Sequence, residues 1–255
     1  MELFLQADTW IALLTLTFLE IVLGIDNIIF ISILAGRFPE DIRKKLMQIG
    51  LFLAMIMRII LLLGVNWLIQ MQSTFFIIET SFFSSNVSIQ ALILMAGGIF
   101  LLYKSTKEIY NKVEEVHEKT PLELKSSTAF SKVVFQIVLI DIVFSFDSIL
   151  TAVGMTSGIP YALLIMIAAV IISISIMIWF SNPISIFINN RPSLQILGLA
   201  FLLLIGFMLI TEAASISETV LFGSNITRIP KGYLYFSIAF SLGVELINSY
   251  SKKTK

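Results

Sequence analysis

Apolar residues come in this chain as blocks of about 20, the length a helix needs to cross a hydrocarbon core. Short polar stretches separate the blocks, which run over residues 9–36, 45–70, 88–104, 132–156, 160–181, 194–212 and 232–249. Lipid offers no hydrogen-bond partner to a bare backbone, so such blocks must satisfy their amides internally, as helices. Bulk composition agrees. Of 255 residues, 57% are hydrophobic and 13% charged, where a soluble domain carries about 25% charge. The expected fold class is an all-α membrane protein, with seven transmembrane helices in a single domain over 1–255.

Charge placement gives the orientation. Arg37, Arg43, Lys44 and Lys45 fall in the first loop; Lys104, Lys107, Lys112, Lys119, Lys125 and Lys132 line the third. Arg191 sits in the fifth, and Lys252, Lys253 and Lys255 end the chain. On the other side only the sixth loop is basic, with Arg228 and Lys231, while Arg58 falls inside a span. Basic loops stay cytoplasmic, so the N-terminus is expected outside and the C-terminus inside. Trp10, Trp67 and Trp179 fall near span ends, as interfacial aromatics do. Met1–Trp10 has no basic residue, which a signal peptide requires, so the first block is expected to remain in the mature protein. With no cysteine in the chain, thiolate metal sites and disulfides are excluded. The longest polar stretch, 105–131, reads as a solvated helix with Glu108/Lys112 and Glu115/Lys119 at i,i+4 spacing. A short linker is expected after Pro121. His117, the only histidine, is assigned no role.

Two blocks repeat one pattern. Phe18–Ile33 (FLEIVLGIDNIIFISI) set on Leu139–Gly154 (LIDIVFSFDSILTAVG) matches Glu20 with Asp141, Val22 with Val143 and Asp26 with Asp147. Gly24 then falls on Ser145, and Asn27 on Ser148. A fainter echo joins Gly98–Lys104 to Gly206–Glu212. Spans 1–3 (about 9–104) and 4–6 (about 132–212) therefore read as one unit duplicated, with a cytosolic segment between them and a last span added at about 232–249. Three spans per unit force opposite orientations, the inverted repeat of many transporters.

A carboxylate at the centre of a spanning helix costs about 2.5–3.5 kcal/mol to insert, so four of them need protons, cations or water. Residues six apart on a straight helix are about 9 Å apart along the axis and about 120° apart around it. Glu20 and Asp26 could share an ion only if their helix opened, and breaks or kinks are expected around 23–27 and 144–148. The candidate metal ligands are Glu20, Asp26, Asn27, Asp141, Asp147 and Ser148. This all-oxygen set suits Mn²⁺, Mg²⁺ or Ca²⁺. Crowded acids hold protons that a metal would expel, which points to exchange for H⁺. Arg58 is expected to form a structural or gating salt bridge with one acid. Glu212 and Glu245, nearer span ends, are further cavity candidates. Gly97, Gly98 and Gly206 are expected to let helices approach closely.

EIVLGIDN (20–27) and DIVFSFDSI (141–149) resemble the paired signatures of the TerC family of membrane proteins. The resemblance continues through LLYKSTKEI (101–109), LAFLLLIG (199–206) and IPKGYLYFSIAFSLGVELIN (229–248). It implies a relative of the lysine-exporter-like transporters, associated with Mn²⁺ export and tellurite resistance, in the bacterial cytoplasmic membrane. It selects Mn²⁺ from the three hard cations, as the transported ion and not as a cofactor. The expected partners are the bilayer and a divalent cation, with no nucleic acid. A second class is a membrane scaffold or delivery subunit, which hands metal to exported enzymes through membrane or secretion-machinery partners. Two Asp on separate spans also suit an intramembrane aspartyl protease, but a duplicated pair of acids fits an ion cavity better. No nucleotide-binding or hydrolase motif stands out, and no enzymatic activity is expected.

Overall fold

The computed structural model describes residues 7–36, 38–114, 127–156 and 158–253; at 25, 26, 127, 128, 246 and 249–253 only the backbone is described. The helices are α1 (Ala7–Ala35), α2 (Glu40–Leu63), α3 (Val65–Gln70), α4 (Ile89–Val113), α5 (Ser127–Met155), α6 (Ala162–Asn189), α7 (Pro192–Ile216) and α8 (Lys231–Lys253). The strands are β1 (Thr74–Thr80), β2 (Phe83–Ser88), β3 (Val220–Leu221) and β4 (Ser224–Asn225).

Local chemistry explains the boundaries. Glu40 and Asp41 place negative charge in the first turn of α2, where the helix dipole favours it. The Ser88 hydroxyl accepts from the Ala91 amide at 3.1 Å and caps α4, satisfying one of the free amides of its first turn. Pro192 opens α7 at a position where no amide hydrogen is needed.

Among the described residues six helices, α1, α2, α4, α5, α6 and α7, are long and apolar enough to cross a membrane. The seventh block is also helical, as α8, but Glu245, Asn248 and its terminal lysines dilute it and it is not among the six. The second block is two helices rather than one span over 45–70. The chain leaves α2 at Gly64, whose amide donates to the Ile60 carbonyl at 3.0 Å, and re-forms as α3. In the third block, α4 runs on to Val113, so the polar stretch begins as a continuation of that helix. Ser105 and Glu108 are buried, Glu108 pairs with Lys104 at 2.8 Å, and Lys112 donates to Gln195. The expectation of a separate solvated helix is corrected over 105–113; Glu115, His117, Lys119, Pro121 and Lys125 lie outside the described residues.

The all-α expectation is also corrected. The four strands form one antiparallel sheet in the order β1-β2-β3-β4. A two-residue turn joins β1 to β2, and Phe83 and Ser84 of β2 pair with Leu221 and Val220 of β3. Two stretches read as loops, the second and the sixth, thus meet in a sheet. Thr74–Thr80 is rich in aromatic and β-branched residues, which suit a pleated surface.

By contacts the chain forms two compact units, Met1–Gln70 with Lys119–Phe187, and Met71–Glu118 with Ile188–Lys255. The first holds α1, α2, α3, α5 and nearly all of α6. The second holds the sheet, α4, α7 and α8. Each unit draws on both halves of the chain.

In the second unit α4 lies against α7 at two glycines. A Cβ on Gly98 would stand 2.7 Å from the Gly206 carbonyl oxygen, and one on Gly206 would stand 2.9 Å from the Gly98 oxygen. The obstacle is backbone on both sides, so no side chain can rotate out of the way. Gly98→Ala is expected to push the helices apart and destabilise the protein by about 1–3 kcal/mol, the usual range for overpacking. Thermal unfolding in detergent checks this, and an unchanged midpoint would refute it.

Candidate functional site

Three helices of the first unit build the site. On α1, Thr17, Glu20, Gly24 and Asn27 recur at steps of three and four, so they share one face, and all four are buried. On α2, Met47, Leu51, Ala54, Arg58 and Leu62 form the buried stripe. Arg58 therefore points inward because it occupies a core position of an otherwise apolar face. On α5, Asp141, Ser145 and Ser148 follow the same three-and-four spacing and are buried. Glu20, Arg58 and Asp141 are 4%, 2% and 4% exposed, so their charges must answer one another.

They do so through Arg58. Its Nε donates to Asp141 Oδ2 at 3.2 Å and its Nη2 to Asp141 Oδ1 at 2.8 Å. This two-pronged grip is the geometry in which a guanidinium binds a carboxylate best. Its Nη1 donates to Glu20 Oε2. The carboxylates at matched positions of the two motifs thus share one cation. Asp141 also accepts from Asn27 Nδ2 at 2.9 Å and from Ser145 Oγ at 3.3 Å. The Asn27 amide nitrogen must face the carboxylate, which turns its Oδ1 away, and that buried oxygen has no hydrogen-bond partner among the described residues. An acceptor buried without a donor is costly, and a cation is one thing that satisfies it.

Of the expected breaks or kinks, the breaks are corrected. Both α1 and α5 are helical throughout, including 23–27 and 144–148. Gly24 serves a different purpose. A Cβ there would lie 2.2 Å from Met177 Sδ, so the missing side chain makes room for a thioether of α6. Ser145 stays helical and turns its hydroxyl to Asp141 one turn back. The pairing that the described side chains make runs between motifs, from Glu20 of α1 to Asp141 of α5 through Arg58.

The remaining candidates are placed as follows. The Ser148 hydroxyl donates to the Ser145 carbonyl at 3.2 Å, within its own helix. Asp147 is half-buried and has interactions of its own. Asp26 lies in the helical backbone of α1, but its side chain is outside the described residues. Glu212 and Glu245 belong to the second unit. Glu212 feels the charge of Arg228, and Glu245 accepts from Ser193 at 2.5 Å. Among the described residues, no group of three His, Cys, Asp or Glu is close enough to hold a metal. A cation held by the described residues at Arg58 would rely on two carboxylates, Glu20 and Asp141, with amide and hydroxyl oxygens. Ser145 is a further buried member of the site, and Thr17 is buried on the face of α1 that carries Glu20 and Asn27. Their signal was the spacing 17-20-24-27 and 141-145-148, legible once the helices are taken as unbroken.

Residues 5–255 match the family described as integral membrane protein TerC family. A UPF0053 protein of Haemophilus influenzae is 44% identical over 243 residues, covering 94% of this chain and 93% of the relative. The UPF0053 inner membrane protein YgdQ of Escherichia coli is 40% identical over 246 residues, covering 96% and 94%. The UPF0053 protein YegH of Escherichia coli is 42% identical over 248 residues; there the chain spans 43% of the relative's length. No solved structure matches. With a match over nearly its whole length, and with apolar helices carrying the doubled acidic motif, the chain belongs to the TerC family of integral membrane proteins.

Proposed function

We propose that this protein is a secondary transporter that exports a divalent metal cation, Mn²⁺ by its family, across the bacterial cytoplasmic membrane. The observation that carries this reading is the convergence of Glu20 and Asp141 on one buried cation beside the unpartnered Asn27 oxygen. Two carboxylates with neutral oxygens, and no thiolate or imidazole in these helices, form a hard-ion site, matched to Mn²⁺, Mg²⁺ or Ca²⁺. An intramembrane ionisable cluster marks an ion pathway by default. Contact between α4 and α7 at matched glycines, and the meeting of two same-side loops in one sheet, support seven spans arranged as an inverted repeat. Counter-transport of H⁺ is the coupling this reading carries, because crowded acids hold protons that a metal would expel. YgdQ, named an inner membrane protein, supports the location.

Flux into liposomes decides the question. Purified protein, reconstituted alone with a metal-sensitive dye inside, is expected to move Mn²⁺, and Glu20→Gln to slow that movement at least tenfold. A protein that binds Mn²⁺ but moves none without partners would instead be a delivery subunit. Transport insensitive to a pH gradient would remove H⁺ exchange.

A further inference from the structure

We propose that Arg58 is a tethered counter-cation. It neutralises Glu20 and Asp141 in the metal-free carrier, and a divalent ion can bind these oxygens only when the guanidinium lets go. The inference rests on the metal-transport reading above.

Charge arithmetic carries it. Glu20 and Asp141 together bring two negative charges and Arg58 returns one. A divalent ion replacing the guanidinium leaves the pair neutral, whereas an ion added beside it would confine two cations in a buried space. Geometry points the same way. Arg58 holds both Asp141 oxygens and one Glu20 oxygen, so a metal bridging the two helices would compete with it for the Asp141 carboxylate. A purely structural clamp would satisfy its neighbours, yet among the described residues the Asn27 oxygen has no donor while the guanidinium is in place. The site is thus complete for charge but incomplete for coordination.

Function follows from the tether. A transporter must return empty, and a bare pair of buried carboxylates could not cross a low-dielectric barrier unpaired. A side chain that takes the ion's place lets the empty carrier exist without a free ion. It also keeps affinity low enough for release.

The test is equilibrium Mn²⁺ binding to the purified full-length chain, read from the paramagnetic resonance signal of free Mn²⁺. Arg58→Gln is expected to bind Mn²⁺ about tenfold more tightly than wild type or better, the factor that one lost charge-assisted hydrogen bond is worth. Its flux should be slower than that of wild type, because the ion is held. Arg58→Lys, which keeps the charge but lacks the two-pronged grip, should bind more tightly than wild type by less. In Arg58→Ala, added guanidinium ion should compete with Mn²⁺, with no such competition in wild type. If Arg58→Gln does not fold, Arg58→Lys carries the test alone. Folded Arg58 variants that bind Mn²⁺ no more tightly than wild type overturn the counter-cation role, provided wild type binds and Asp141→Asn does not. If wild type binds no Mn²⁺ either, the metal reading itself has failed.

Discussion

Arg58→Met is expected to destabilise the metal-free protein by about 3–5 kcal/mol, the cost of breaking a buried ion pair by removing one partner. Methionine fills most of the space, so little of this comes from a cavity. The loss is electrostatic. Glu20 and Asp141, each about 95% buried, would face one another with no cation between them. Mn²⁺ should restore much of the stability, since binding only the folded form stabilises it. Removing all three charges at once, as Glu20→Gln, Arg58→Met and Asp141→Asn, is expected to cost less than Arg58→Met alone, because no charge is left unmatched. Unfolding in detergent with and without Mn²⁺ measures all of these. Additive losses across the three sites would show that the charges are not coupled.

Asp141→Ala should cost more than Glu20→Ala, and it should abolish metal flux. Asp141 accepts four hydrogen bonds, two from Arg58 and one each from Asn27 and Ser145. The one recorded for Glu20 comes from Arg58. Every buried donor left unsatisfied costs about 1–3 kcal/mol, and with Asp141 gone three side chains on three helices lose an acceptor together. Because they share one network the costs do not add, and a total of about 3–5 kcal/mol is the expected scale. Glu20→Ala strands one guanidinium arm and should stay below that. The order of the two midpoints is the decisive reading, and equal losses would contradict the placement of Asp141 at the centre.

How much of this was legible in sequence differs by feature. The apolar blocks at 9–36 and 132–156 became α1 and α5 nearly as read, because span length is set by bilayer thickness and hydropathy is a local property. Gly98 and Gly206 were readable as contact points for the same kind of reason: small residues in apolar helices let backbones close. The sheet was missed. β3 and β4 have only two residues each, too short for a periodic signal, and pairing between 83–84 and 220–221 is a long-range event. The split of the second block was missed because Gly64 alone weakly marks a helix end.

At the site, sequence alone determined that four carboxylates and one arginine would sit within membrane-length helices, and that no thiolate or imidazole in those helices could join them. It also supplied the geometric condition: acids six apart on one helix cannot share an ion unless the helix opens. Tertiary structure decided how that condition is met. The helices stay whole, Gly24 admits Met177 rather than a break, and Glu20 finds its partner on α5 through Arg58 of α2. No local pattern could have chosen that pairing, because it depends on which faces of three separate helices turn toward one another. A buried charge has no local remedy, and its counter-charge comes from whichever helix the packing brings within hydrogen-bond reach.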